Sequence, residues 1–202
     1  DSSQMEITEI RWKGPISGTG SGDWNRTVHW SPTLIPNGDD KTAFFGPITS
    51  DSETVFINAD DPPVVVKGVQ FDFFDLNGNI LPVQSYAIAG TGQLTLDGGT
   101  ANAVIGVVAG SHQFQLPVDV QTDTDLDTFA GTTLAFNNAL NLNGNSLTKT
   151  GDGLMEINNV LNTGGGTVIL QQGTMSGDGT VNGTLNNDGG TLSPSNSSVV
   201  PE

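Results

Sequence analysis

Ala89-Gly90-Thr91-Gly92-Gln93-Leu94-Thr95-Leu96 is the first of four similar phrases between residues 89 and 157. The phrase returns as Ala109-Gly110-Ser111-His112-Gln113-Phe114-Gln115-Leu116, as Ala130-Gly131-Thr132-Thr133-Leu134-Ala135-Phe136 and as Thr150-Gly151-Asp152-Gly153-Leu154-Met155-Glu156-Ile157. Apolar and polar residues alternate in each phrase, and Leu94, Phe114, Leu134 and Leu154 stand 20 positions apart. Alternation is typical of strands, and a fixed period predicts a solenoid in which each repeat forms one stacked coil.

The composition agrees with short strands joined by tight turns. The 202 residues include 27 glycines and no cysteine, and only 35% of them are hydrophobic. A solenoid tolerates this fraction because its narrow core needs only one or two inward side chains per strand. We therefore predict an all-β fold, a right-handed parallel β-helix (solenoid) of ~20-residue coils with an aromatic-rich N-terminal cap.

The chain is predicted to divide into three parts of one continuous structural unit. Residues 1–50 contain a first strand at 4–12 and all three Trp, whose bulky rings would close the first coil against water. Residues 51–197 are predicted to form the β-helix, and residues 198–202 a C-terminal tail. Apolar residues become rarer after Leu170, so we expect a thin last coil with exposed strand edges. The start at Asp1 without Met suggests a processed polypeptide.

The formal net charge of −16 argues against nucleic acid and anionic lipid as partners. The sequence contains no run of about 18 apolar residues, so it predicts no membrane insertion. Solubility alone accounts for such a charge, and divalent cation binding is the alternative. The weak calcium candidates are Asp123, Asp125 and Asp127, although their segment lacks the Gly and Glu of a calcium loop. We expect these carboxylates to form a solvated strand face opposite Leu126, and we predict no cofactor other than this calcium alternative.

The residue pattern does not indicate catalysis, and we predict that the protein is not an enzyme. His29 and His112 are the only histidines, and the repeat position of His112 predicts a turn or surface residue. Lys149 is the only basic residue within the repeats, which disfavours a groove that would bind uronate carboxylates. A polysaccharide-degrading β-helix enzyme is therefore our third hypothesis, with no catalytic residue assigned.

Several phrases have a familiar wording, among them Gly22-Asp23-Trp24-Asn25, Leu147-Thr148-Lys149-Thr150-Gly151-Asp152-Gly153 and Gly177-Asp178-Gly179-Thr180-Val181-Asn182-Gly183. They resemble secreted bacterial proteins with autotransporter-like, passenger-type β-helix repeats, and the resemblance covers residues 18–197. The last residues, Val200-Pro201-Glu202, resemble the beginning of a PEP-CTERM export signal. The resemblance implies a right-handed β-helix that is exported to the cell surface or the extracellular matrix.

Our main hypothesis is a structural subunit of an extracellular filament, sheath or matrix. Its copies would join head-to-tail by strand addition and solenoid end-stacking, in a homopolymer. Residues 4–12 would supply the added strand, although an ordinary edge strand of the same molecule is the alternative. The predicted assembly residues are Met5, Ile7, Ile10, Trp12, Leu185, Leu192, Val199 and Val200.

The second hypothesis is a cell-surface adhesin or glycan-binding β-helix that binds extracellular polysaccharide through the coil flank or through Trp24 and Trp30. Flat indole rings stack on sugar rings, so Trp24 and Trp30 are the candidate glycan contacts. Because both lie among turn residues at the end of the repeat array, capping of the first coil is the competing role for them. The two roles differ in one observable property, since a glycan platform must be exposed and a cap must be buried.

Overall fold

The computed structural model describes residues 9–14, 21–46, 52–72 and 85–194. Within these ranges the chain is all-β, with one short 3-10 turn at Thr27–His29. Strands from successive coils pair in parallel, so the predicted parallel β-helix is confirmed. The strands are β1 (Ile10–Trp12), β2 (Ser21–Asp23), β3 (Trp30–Ser31), β4 (Gly38–Phe45), β5 (Ser52–Phe56), β6 (Val64–Phe71), β7 (Ser85–Ala89), β8 (Leu94–Leu96), β9 (Ala103–Val107), β10 (Ser111–Phe114), β11 (Val118–Val120), β12 (Thr124–Thr128), β13 (Thr133–Phe136), β14 (Leu140–Asn141), β15 (Leu147–Thr150), β16 (Leu154–Ile157), β17 (Val160–Leu170), β18 (Thr174–Gly177), β19 (Thr180–Asn187) and β20 (Thr191–Pro194).

The strands form three faces along the solenoid. A 12-stranded sheet supplies two of them, because its long strands β4, β6, β17 and β19 pair on both. Face 1 contains β8, β11 and β14, and face 2 contains β9, β12 and β15, with β1 and β3 at its beginning. Face 3 is the 8-stranded sheet β2-β5-β7-β10-β13-β16-β18-β20. Each coil passes through face 3, then face 1, then face 2.

The coils shorten along the chain, so their lengths vary around the predicted ~20 residues and the period is not fixed. On face 3, Ile88 pairs with Phe114 and Phe114 with Phe136, steps of 26 and 22 residues. Further on, Met155 pairs with Met175 and Met175 with Leu192, steps of 20 and 17 residues. The strands of a coil keep similar total lengths while the corners between them lose residues, so the shortening takes place at the corners.

The four evenly spaced apolar residues are not structural equivalents. Leu94 begins a strand of face 1 and pairs with Val118, whereas Phe114, Leu134 and Leu154 lie on face 3. Leu134 is buried, but Leu154 is one position out of phase and points partly to solvent. The equal spacing arises because corner lengths and strand offsets compensate over these coils.

Apolar side chains fill the interior in columns that follow the sheet register. One column on face 3 runs through Val55, Ile88, Phe114, Phe136 and Ile157, which are at most 3% exposed. Aromatic rings in neighbouring coils lie in contact, since the centroids of Phe114 and Phe136 are 5.3 Å apart. Such stacking buries apolar surface continuously from coil to coil, which is the main stabilisation of a solenoid.

Three tryptophans close the N-terminal end. We call this end, residues 9–14 and 21–34, the head. Trp12, Trp24 and Trp30 are 4%, 0% and 0% exposed, and the ring of Trp30 lies 5.0 Å from both other indoles. The ring of Phe45, in the coil beneath, is 5.6 Å from Trp30. The predicted aromatic-rich N-terminal cap is therefore present.

Candidate functional site

The C-terminal end of the solenoid consists of β18, β19 and β20, and we call it the tail; the predicted C-terminal tail at 198–202 is a different segment. The tail differs from the head because its interior opens to solvent. A single inward column on face 3 shows the change: Met155 is 0% exposed, Met175 is 5% exposed and Leu192 is 44% exposed. Leu185 and Val181 are only partly buried. Within the described residues, no further coil covers these side chains.

An apolar hollow of about 220 Å³ occupies this open end. Its walls are formed by the last inward side chains and the chain that turns around them, chiefly Ile157, Met175, Val181, Leu185, Leu192 and Pro194. A concave apolar surface at the end of a β-helix is the continuation of the core rather than a polar active site. It can bind another apolar surface, because covering it removes Leu192 and its neighbours from water.

The strands that border the hollow also present unpaired backbone edges. β19 pairs with β17, and β20 pairs with β18, and each is the last strand of its sheet among the described residues. The open edges therefore belong to faces 1 and 2 through β19 and to face 3 through β20. Edges of this kind are templates for pairing with another chain.

A ladder of side-chain amides ends at the same surface. Asn141 donates through Nδ2 to Asp119 Oδ1 at 2.8 Å, Asn162 to Asn141 Oδ1 at 2.9 Å, and Asn182 to Asn162 Oδ1 at 3.0 Å. Every amide donates towards the head, so the ladder has a direction. The exposed Oδ1 of Asn182 is its last acceptor, and no described residue donates to it.

Two of the predicted assembly residues, Leu185 and Leu192, line this hollow. The prediction is wrong for Ile10 and Trp12, which are 2% and 4% exposed inside their own subunit. Their strand, β1, pairs with β3 on one side and β4 on the other, so it is not a free arm. Met5, Ile7, Val199 and Val200 lie outside the described residues. Removal of residues 1–12 is therefore expected to damage the head, because it deletes core side chains.

The glycan-platform hypothesis for Trp24 and Trp30 is also wrong, since both rings are 0% exposed. Each indole N–H is satisfied inside the head: Trp24 Nε1 donates to Pro36 O at 3.2 Å, and Trp30 Nε1 donates to Trp24 O at 2.8 Å. A ring that is buried on both faces cannot stack on a sugar. Capping of the first coil is the role that the packing supports.

Of the three calcium candidates, Asp125 and Asp127 lie on the outside of face 2, opposite Leu126, which is 0% exposed as expected. Asp123 lies just before the same strand, β12. The three carboxylates have separate partners: Ser146 N donates to Asp123 Oδ1 at 2.8 Å, and Asn102 Nδ2 donates to Asp125 Oδ2 at 3.1 Å. Asp127 lies near the buried Lys149. Within the part of the chain that the structure describes, no three acidic or histidine side chains converge in a way that could hold a metal ion.

His112 is not the turn or surface residue that its repeat position predicts. It is 2% exposed, and its ring stacks on Phe71 with the centroids 4.1 Å apart. Its Nδ1 accepts from Tyr86 N at 3.1 Å, so Nε2 is the protonated nitrogen that donates to Ala109 O at 2.8 Å. Burial lowers the pKa of His112 to about 4, because loss of hydration disfavours the charged imidazolium, although the hydrogen bond to Ala109 O opposes this shift.

The burial of Lys149 was not predicted from the sequence. The residue is 0% exposed and occupies an interior position, in register with Leu126 and Leu170 of the neighbouring coils. Its ammonium group donates to the carbonyl oxygens of Thr150, of Gly151 at 2.8 Å and of Gln172 at 3.3 Å. Burial lowers the pKa of Lys149 to about 8, although Asp127 and Asp152 oppose this shift. Strand alternation contained the signal, since Lys149 has the same phase as the buried Leu147.

A buried acid, Glu53, lies beneath the head. It is 6% exposed and accepts a hydrogen bond from Trp12 Nε1 at 2.6 Å. Burial raises the pKa of Glu53, and the bond from Trp12 opposes this. His29, the second histidine, is 7% exposed and donates through Nδ1 to Asp23 O at 2.8 Å. Both groups form hydrogen bonds with residues of the head.

No helix in the described ranges is long and apolar enough to cross a membrane. The resemblance to passenger-type repeats and to the PEP-CTERM signal stays a prediction made from sequence phrases. Function is therefore inferred from the geometry of the tail and the flanks. No protein-family model, no curated protein and no solved structure matches this chain.

Proposed function

We propose that the protein is a structural subunit of an extracellular filament, sheath or matrix, and that its copies join through the open tail. The observation that supports this most strongly is the interior column that ends in solvent, with Leu192 44% exposed above the apolar hollow. Water-exposed core surface bordered by open strand edges is stabilised when another chain covers it. The partner in this proposal is a second copy, so assembly extends along the solenoid axis.

The charge of the chain favours growth along the axis over growth from the sides. The chain has 22 acidic and 6 basic residues, and five of those basic residues precede the repeats. The flanks of the coils are therefore acidic, and two flanks brought side by side would repel each other. The ends are the surfaces where apolar contact can outweigh this repulsion. The proposal includes export to the cell surface, which the sequence resemblance implies. It includes no catalytic activity.

Replacing Leu192 by aspartate is expected to raise the protein concentration needed for assembly at least about tenfold. A carboxylate that becomes buried in an apolar contact without a partner costs more than about 1.4 kcal/mol, which corresponds to that factor. Sedimentation velocity and electron microscopy of the native and variant proteins measure the change. The matched control is Phe129→Asp, because Phe129 is 46% exposed but lies on a flank, in a coil that belongs to neither end.

We expect the Phe129→Asp protein to assemble as the native protein does. Equal assembly by the Leu192→Asp protein would show that the tail is not the contact. A native protein that stays monomeric at hundreds of micromolar would reject self-assembly altogether. Thermal unfolding of each variant separates loss of assembly from loss of folding.

Glycan binding at the coil flank is a second candidate function, and one specific feature favours it. A hollow of about 500 Å³ on the corner after face 2 is lined by Phe129, two carboxylates and an amide, from Asp127, Asp152 and Gln172. Phe129 is 46% exposed, and Gln172 Nε2 donates to Asp152 Oδ1 at 2.7 Å. An exposed ring beside hydrogen-bonding groups suits a sugar, whose C–H face packs on the ring while its hydroxyls are bonded by the polar groups.

Phe129→Ala is expected to weaken binding of a responsive oligosaccharide at least about fivefold, since an aromatic contact of this kind contributes about 1 kcal/mol. A glycan array followed by titration calorimetry measures this change. Phe56→Ala is the control, with a similarly exposed ring outside the hollow. If the native protein binds no glycan on the array, or if Phe129→Ala binds equally well, this second function is wrong.

A further inference from the structure

The head presents a second exposed apolar surface, in addition to the one at the tail. Of the large apolar side chains that are exposed among the described residues, Val28 and Leu34 lie on the head, at 42% and 49% exposed, and Leu192 lies on the tail. Phe56 and Phe129 lie on the flanks. Each end of the solenoid therefore presents exposed apolar side chains, three of the five in total.

The loop that presents Val28 and Leu34 is held firmly by the aromatic cap. Trp24 N donates to Phe56 O at 2.9 Å, and His29 N donates to Arg26 O at 3.0 Å. The buried rings of Trp24 and Trp30 fix the backbone on both sides of Val28, while the side chain of Val28 itself points to solvent. Little conformational entropy would be lost when such a loop binds, because it is already ordered.

The two ends also differ in charge. The head carries Lys13 and Arg26, which are exposed and form no ion pair with a described residue, while its half-buried Asp23 accepts a hydrogen bond from Asn25 N at 2.8 Å. Arg11 is paired with Glu9 at 2.9 Å and Asp72 at 2.7 Å. The tail carries the exposed carboxylates of Asp178 and Asp188. No Lys or Arg follows Lys149 in the sequence. A tail-to-tail contact would bring carboxylates together, while a head-to-tail contact pairs opposite charges.

We propose that the occupant of the tail hollow is the head loop of a second copy, residues 26–34. Val28 and Leu34 cover the inward side chains around Leu192, and Lys13 and Arg26 face Asp178 and Asp188. This specifies the contact of the proposed function and rests on it. The backbone edges support the same arrangement: among the described strands, β3 and β2 begin the two sheets at the head, and β19 and β20 end them at the tail.

The test is a charge swap between the two ends. One variant carries Lys13→Glu and Arg26→Glu, and the other carries Asp178→Lys and Asp188→Lys. Each variant alone has like charges at both ends, so we expect the concentration needed for assembly to rise at least about tenfold. Mixed in equal amounts, the two variants have opposite charges at every contact, and assembly is expected to return near the native concentration as an alternating polymer. Added salt should reduce the defect of each single variant.

The possible results separate the contact from the function. If the mixture assembles no better than the variants alone while Leu192→Asp still blocks assembly, the tail is a contact but the head loop is not its occupant. If the native protein is monomeric and a chain shortened to residues 1–194 assembles, the C-terminal residues 195–202 cover the hollow instead, which overturns the inference. If neither Leu192→Asp nor the charge variants change the behaviour of the native protein, both proposals are wrong.

Discussion

Replacing Trp30 by alanine is expected to lower the free energy of unfolding by about 3–5 kcal/mol, the usual cost of deleting a buried aromatic side chain. The ring is 0% exposed and contacts Trp12, Trp24 and Phe45 at centroid distances of 5.0, 5.0 and 5.6 Å. Its loss leaves a cavity in the cap and removes the hydrogen bond to Trp24 O. Because each coil of a solenoid is supported by its neighbours, opening of the head would also expose the next coil.

Urea denaturation followed by tryptophan fluorescence and circular dichroism measures this effect. Phe129→Ala is the control, because Phe129 is 46% exposed and its truncation is expected to change stability by less than about 0.5 kcal/mol. Hydrogen exchange should show the largest loss of protection in β1, β3 and β4, next to the missing ring. A Trp30→Ala protein as stable as the native one would show that the ring does not pack in the head.

Replacing Lys149 by alanine is expected to lower the free energy of unfolding at pH 7 by about 2–4 kcal/mol. The side chain is 0% exposed, so its truncation creates a cavity between Leu126 and Leu170. The carbonyl oxygens of Gly151 and Gln172 also lose a donor. Lys149→Met is expected to cost less, because it retains most of the volume of the side chain, and the removal of a buried charge offsets the lost hydrogen bonds. Chemical denaturation at fixed pH measures both differences.

The pH dependence of the free energy of unfolding, compared between the native protein and Lys149→Met, tests the burial of the charge. The ordinary pKa of lysine is 10.5, and that of Lys149 in the folded protein is about 8. Between these values the unfolded chain binds a proton that the folded chain has lost, so stability rises with pH. We expect the native protein to gain up to about 2 kcal/mol relative to Lys149→Met between pH 8 and pH 9.5. A constant difference over that interval would mean that the ammonium group is solvated.

The caps explain why the head is closed and the tail is open. At the head, the buried rings of Trp24 and Trp30 cover the interior of the first coil. At the tail, Leu192 is 44% exposed because no described coil stacks on the last strand of face 3. Aromatic rings fill the first coils, and Leu and Met fill the last ones.

Local pattern alone determined much of this protein. Alternation of apolar and polar residues determined which segments are strands, because side chains on a strand point to opposite sides. The three tryptophans marked the cap, and the loss of apolar residues after Leu170 marked the weak end. These features depend on residue type and near neighbours, so they can be found without the fold.

The tertiary structure decided what depends on contacts between coils. The register could not be found from spacing, because corners such as that at Gly90 vary in length and follow the coil beneath: at φ +128°, a Cβ there would overlap the carbonyl oxygen of Ile57. The exposure of Trp30 depends on the loop that covers it. The burial of Lys149 and His112 depends on carbonyl and amide groups that other corners and coils supply. Alternation along a strand is a local property, whereas burial, hydrogen bonding and an open end are properties of the stacked coils.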